Sequence, residues 1–193
     1  MRVTPNFAGW RATILHRLSE TTDRLSRQLG LLGLIVSVQW EALSAATLPD
    51  IVLVDADEGW DGLLPWSKGE APRPLIALLG SEAPGRVAWA MDQGVCAIIA
   101  KPLAPSAVYP ALVMAHALHR ERKANVETLT RLEERIRLRP LVHAAVEAIM
   151  KFRSIDESGA YTILRSCAMQ RRQPIEQIAG AIVGGSQPIP EVG

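Results

Sequence analysis

Five short apolar runs, Ala12–Leu15, Leu34–Val38, Ile51–Val54, Leu75–Leu79 and Ala97–Ala100, constrain this chain more than any other feature. Four or five residues that stay apolar without alternating suit strands covered on both faces, as in a parallel sheet. Between the runs, Glu20–Leu29 puts Leu25 and Leu29 on one helical face, and Gly85–Gln93 gathers Val87, Ala90 and Met91. Strands alternating with helical stretches give the βαβ rhythm. The prediction for residues 1–110 is a flavodoxin-like α/β domain, a doubly wound five-stranded parallel sheet.

The remainder reads as all-α. From Pro105 to Arg139 there is no glycine, and the only internal proline is Pro110. Ala115, Leu118, Arg122, Asn125, Leu129, Leu132 and Ile136 recur at alternating spacings of three and four, a heptad seam. This predicts a dimeric coiled coil over residues 111–139, with Leu118, Asn125, Leu129, Leu132 and Ile136 as dimerisation residues. The alternative is a long amphipathic helix that packs back on its own domain. Pro140 lacks the N–H that a helix ladder needs and is expected to end or kink the helix. Three helical stretches then follow in residues 140–185. Leu141–Phe152 is apolar at Leu141, Val142, Ala145, Ala148 and Ile149; Asp156 can cap a stretch running to about Arg172; Pro174 opens a third, closed by Gly184-Gly185. The tail, residues 186–193, is expected to be mobile.

Composition limits the function classes. The 193 residues are 48% hydrophobic and 21% charged with a formal net charge of +1, so a folded chain without a global field for a polyanion is expected. Charge is uneven: residues 116–139 hold seven basic against four acidic side chains, whereas residues 140–193 hold five of each. No stretch is long and apolar enough for a membrane span and no apolar leader opens the chain, which points to the cytoplasm. Cys96 and Cys167 read as buried thiols. His16, His116, His119 and His143 do not cluster with carboxylates at ligand spacing, and the glycine-rich, nucleophile-elbow and zinc-protease motifs are missing. The expectation is a non-enzyme without cofactor or metal.

Asp55 ends the third run and Lys101 follows the fifth, both at carboxyl ends of strands, where open α/β sheets bind ligands. In this placement the N-terminal segment resembles a response-regulator receiver domain, in which the aspartate accepts a phosphoryl group and the lysine pairs with it. The resemblance implies those roles for Asp55 and Lys101. The chain departs from the family at two points. An acidic pair that would hold magnesium is replaced by His16-Arg17 after the first run, and the switch hydroxyl position falls on Leu79. The expectation is a pseudo-receiver with Asp55 and Lys101 a vestigial ion pair. Trp60 and Trp66, in the loop after Asp55, are candidate partner-binding residues; the alternative is that they cover their own core edge.

The elements Ala145–Met150, Ala168-Met169-Gln170-Arg171-Arg172 and Ile178-Ala179 resemble the ANTAR domain of transcription antitermination regulators. That resemblance implies RNA binding by residues 140–185. Candidate RNA contacts are Lys151, Arg153, Arg165, Arg171 and Arg172, with Tyr161 as a stacking ring and Ala168 and Met169 carried over from the family. Two basic positions of the family fall on Leu141 and Val146, and their loss predicts weaker phosphate contact. The combined architecture implies a homodimer that captures stem-loops in a nascent leader transcript, controlled by a periplasmic-binding-protein-like amide sensor that sequesters the pseudo-receiver. The competing readings are a protein-interaction adaptor and a phosphorylation-dependent response regulator without RNA binding.

Overall fold

The computed structural model describes residues 5–188. The chain divides into two compact units, one ending at Lys123 and the other beginning at Ala124. The expected separate coil segment is thereby split between them, because a single helix runs from Pro105 to Arg153.

The first unit carries five strands, β1 (Arg11–Leu15), β2 (Ile35–Gln39), β3 (Ile51–Asp55), β4 (Leu75–Leu79) and β5 (Ala97–Ala100). All neighbours pair in parallel, in the order β2-β1-β3-β4-β5. Each expected run is a strand. The central strands β1 and β3 are buried almost throughout, which is why their sequences show no alternation.

One face of the sheet is covered by α1 (Glu20–Leu31) and the first turns of α3 (Pro105–Arg153), through Leu25, Leu29, Val108, Ala111, Leu112 and Ala115. Ser19 caps α1 by accepting from the Thr22 N–H, and the Thr22 hydroxyl answers the Ser19 N–H. On the other face, α2 (Pro84–Asp92) is the one helix, and the connections from β2 to β3 and from β3 to β4 hold none. The helical rhythm expected between all strands therefore fails at these two crossovers. The segment from Gly59 to Pro74 carries three glycines and three prolines, which resist helix formation. Large side chains do the covering instead: Leu43, Leu63 and Leu64 are buried here, with Trp40, Leu48, Trp66 and Trp89 packed around them.

In the second unit, the C-terminal part of α3 packs with α4 (Glu157–Arg171) and α5 (Ile175–Val183). Ala145, Val146 and Ile149 meet Ala160, Leu164, Cys167 and Ala168 of α4 and Ile178, Ala179 and Ile182 of α5. Asp156 caps α4 by accepting from the Gly159 N–H at 2.9 Å. Pro140 neither ends nor breaks α3. It sacrifices one ladder hydrogen bond, at a typical cost of about 3 kcal/mol, and the apolar residues just beyond it are anchored in the core, which offsets that loss. At the other end, the N–H groups of Ser186 and Gln187 donate to the Ala181 carbonyl, so the first tail residues close α5. The rest of the expected mobile tail, residues 189–193, lies outside the described residues.

Candidate regulatory pocket and nucleic-acid interface

Asp55 ends β3 with 2% of its surface exposed. Its Oδ1 accepts from Lys101 Nζ at 2.8 Å and from the Asp57 N–H at 3.0 Å, and its Oδ2 lies 3.1 Å from His16 Nε2. Lys101 Nζ also contacts Asp57 Oδ2 at 2.7 Å. Asp57 in turn accepts from the backbone N–H groups of Gly80 (2.7 Å) and Ser81 (2.9 Å). Sequence reasoning missed His16 and Asp57 as partners here. The signal was present in the register: Leu15 pairs with Val54, so the next residues, His16 and Asp55, emerge side by side. The other ring nitrogen of His16 lies 2.7 Å from the Arg17 carbonyl.

The result is a cage in which the Lys101 ammonium and the His16 ring hold two carboxylates. Burial alone would raise the Asp57 carboxyl, but the Lys101 ammonium and the two backbone N–H groups outweigh it and hold it below its ordinary value. Burial would lower Lys101, and its two carboxylate partners outweigh that and raise it. The close packing favours glycine at position 80, where a Cβ would stand 3.2 Å from Asp57 Oδ2 and 3.3 Å from Lys101 Cβ and would press on both. Leu79, at the family's hydroxyl position, offers no side-chain hydrogen bond to this cage.

An aromatic path leads outward. The His16 ring lies 6.5 Å from Trp40, and Trp40 meets Trp60 edge to face at 5.0 Å. Trp60 is 41% exposed, as a partner-binding residue would need. Trp66 behaves differently: it packs on the core and donates its Nε1–H to the Gln93 carbonyl at 3.3 Å. Trp66 thus covers its own core edge, whereas Trp60 keeps part of its ring exposed.

The heptad seam divides as well. Ala115 is buried and Leu118 packs against the core of the first unit. Arg122 donates to the carbonyls of Gly94 (2.8 Å) and Val95 (3.4 Å). Leu118 is thus already in use within its own domain. From Asn125 onward the seam is uncovered, with Leu129, Leu132 and Ile136 all exposed.

In the second unit, Tyr161, Arg165, Met169 and Arg172 follow one another at spacings of four, four and three. At 100° per residue they fall within about 80° of arc. All four are exposed, Tyr161 at 46% and Met169 at 68%. Arg171 and Lys151 are exposed as well, and Arg153 is half-buried in the last turn of α3. Ala168 faces the core with 5% of its surface exposed, which leaves it little to offer a ligand directly. Arg172 holds a left-handed conformation (φ 52°), from which its own N–H and that of Gln173 close α4 onto Met169 and Ala168. Val146 is only 4% exposed and Leu141 packs against the same core, so both departures from the family are packing residues.

The first unit thus holds a buried carboxylate between Lys101 and His16 at the carboxyl end of a parallel sheet, and the second exposes a ring and guanidiniums on one helix. Residues 130–183 match the ANTAR domain family, and residues 10–116, more than half of the chain, match the family described as AmiR, N-terminal. The chain belongs to the family described as AmiR, N-terminal, and carries a match to the ANTAR domain beyond it. Among curated relatives, the aliphatic amidase regulator of Pseudomonas aeruginosa is 27% identical over 175 residues, 89% of each chain. The transcriptional regulatory protein PdtaR of Mycobacterium tuberculosis is 28% identical over 148 residues, 74% of this chain and 72% of that one. The solved structure of the response regulator StyR superposes with a TM-score of 0.55 at 15% identity, covering 92% of this chain and 100% of that chain, a likeness of fold. Among the described residues no helix is long and apolar enough to cross a membrane.

Proposed function

We propose that this chain is an RNA-binding transcription antiterminator that captures stem-loops in a nascent leader transcript. The observation that carries the reading is the exposed Tyr161–Arg165–Met169–Arg172 face of an ANTAR unit. An aromatic ring can stack on an unstacked loop base while arginines beside it reach phosphates or base edges. Loop recognition of this kind needs few charges, in keeping with the balanced charge of residues 140–193. The uncovered seam from Asn125 to Ile136 supports a homodimer. Two linked RNA-binding units favour a target with two stem-loops, because the second capture becomes intramolecular.

Control, in this reading, comes from a protein partner and not from phosphorylation. Each Asp55 oxygen already has a side-chain partner, Lys101 or His16, and His16-Arg17 stands where the receiver family carries its acidic pair. The half-exposed Trp60, in contact with Trp40 beside the cage, is the proposed docking point. A periplasmic-binding-protein-like amide sensor is the proposed partner, supported by the similarity to an aliphatic amidase regulator.

The test is a fluorescence anisotropy titration of the full chain with leader stem-loop RNA from its own operon, beside the same RNA with scrambled loops. Saturable binding that prefers the native loops, and loses that preference in Tyr161→Ala, is expected. Equal affinity for both RNAs would overturn the reading in favour of an adaptor.

A further inference from the structure

The basic surplus of residues 116–139 finds no use in the loop-reading face of α4. Some of it is spent within the first unit, where Arg122 is tied to backbone carbonyls. In the second unit, Arg131 and Arg135 lie one helical turn apart on α3 and line an open groove, with Glu134 and Leu138, against Pro174–Gln177 at the start of α5. Both arginines are exposed. Arg135 Nε lies 3.3 Å from Glu176 Oε1, while Arg131 makes no ion pair among the described residues. Arg171 and Arg172 directly precede the segment that forms the far wall of the groove. The seam residues Leu129, Leu132 and Ile136 are centred about a third of a turn away from the arginine pair, on a different side of α3.

We infer that this groove is a second RNA subsite, in which Arg131 and Arg135 hold the phosphate backbone of the stem whose loop is read on α4. The inference rests on the RNA-binding reading above and extends it from loop to stem. The occupant follows from the charge around the groove: Glu134 and Glu176 balance Arg131 and Arg135 in the lining, and the exposed Arg171 and Arg172 beside it leave a basic surplus that suits phosphate oxygens, which guanidiniums bind in a bidentate fork. Glu176 acts as a placeholder that keeps Arg135 extended along the groove wall until phosphate displaces it. Backbone contacts of this kind set affinity and register without reading sequence.

The experiment compares full-length Arg131→Gln/Arg135→Gln with Arg137→Gln, an exposed arginine projecting to another side of α3. Both are titrated against native and scrambled-loop leader stem-loop RNA over a series of salt concentrations, with thermal melts as a fold control. The groove variant should lose roughly tenfold in affinity, and its salt slope should drop by about 0.9 for each phosphate contact removed. Its preference for native over scrambled loops should be unchanged. Glu176→Gln, which frees Arg135, should bind at least as tightly as the parent chain. A groove variant indistinguishable from Arg137→Gln would overturn the inference while leaving loop reading intact. A parent chain that binds neither RNA would overturn the RNA reading itself, and the subsite with it.

Discussion

His16 holds the buried Asp55 Oδ2, and its removal leaves a carboxylate oxygen without its partner. Stripping one partner from a buried pair is costly, so His16→Ala should lower stability by about 2–3 kcal/mol in urea melts; a loss under about 0.5 kcal/mol, the range of ordinary surface substitutions, would mean that water replaces the imidazole. Asp57 adds a pH dependence. Its folded pKa is depressed, so its contribution is present above the ordinary carboxylate value and is lost as pH falls through the folded one. Acid titration of stability should show a decline that Asp57→Asn lacks, with no matching loss through neutral pH from this group. Arg172 offers a separation of roles: Arg172→Gly relieves a left-handed backbone and should gain up to about 1 kcal/mol, yet should weaken RNA binding by removing a cation. A gain in stability without loss of affinity would show that Arg172 serves the turn alone.

The five strands were legible because burial on both faces leaves continuous apolar runs, and the caps at Asp156 and Pro174 because capping is local chemistry. What sequence missed depends on tertiary context. The crossovers without helices are stabilised by Trp40, Leu43, Leu63, Leu64 and Trp66, whose covering role comes from where the chain brings them. Helix α3 runs through Pro140 because packing beyond it outweighs the lost hydrogen bond, a balance that periodicity does not weigh. If that is so, Pro140→Ala should restore the bond and raise the melting temperature; an unchanged melting temperature would mean that the ladder is interrupted with or without proline. The candidate sites were legible in part: Asp55, Lys101, Tyr161 and Arg165 stand where the motifs imply, whereas Ala168 is in the core. His16 became visible as a partner only once the pairing of β1 with β3 was known. The exposed half of the seam belongs to this scale too. Leu129→Glu/Ile136→Glu should convert a dimer to a monomer in sedimentation, and a variant that remains dimeric would place the association elsewhere.

For the whole molecule, we propose that an output unit that reads RNA is joined to a receiver-like unit in which the Asp55 charge cluster stands in place of phosphoryl chemistry. The two halves of this claim meet in one assay, in vitro transcription from a template carrying the operon's leader and its terminator. Adding the purified chain should raise read-through past the terminator, Tyr161→Ala/Arg165→Ala should abolish the rise, and pretreatment with acetyl phosphate and magnesium should change neither result. Read-through that does not respond to the chain, or that appears only after phosphoryl-donor treatment and is lost in Asp55→Ala, would contradict the account.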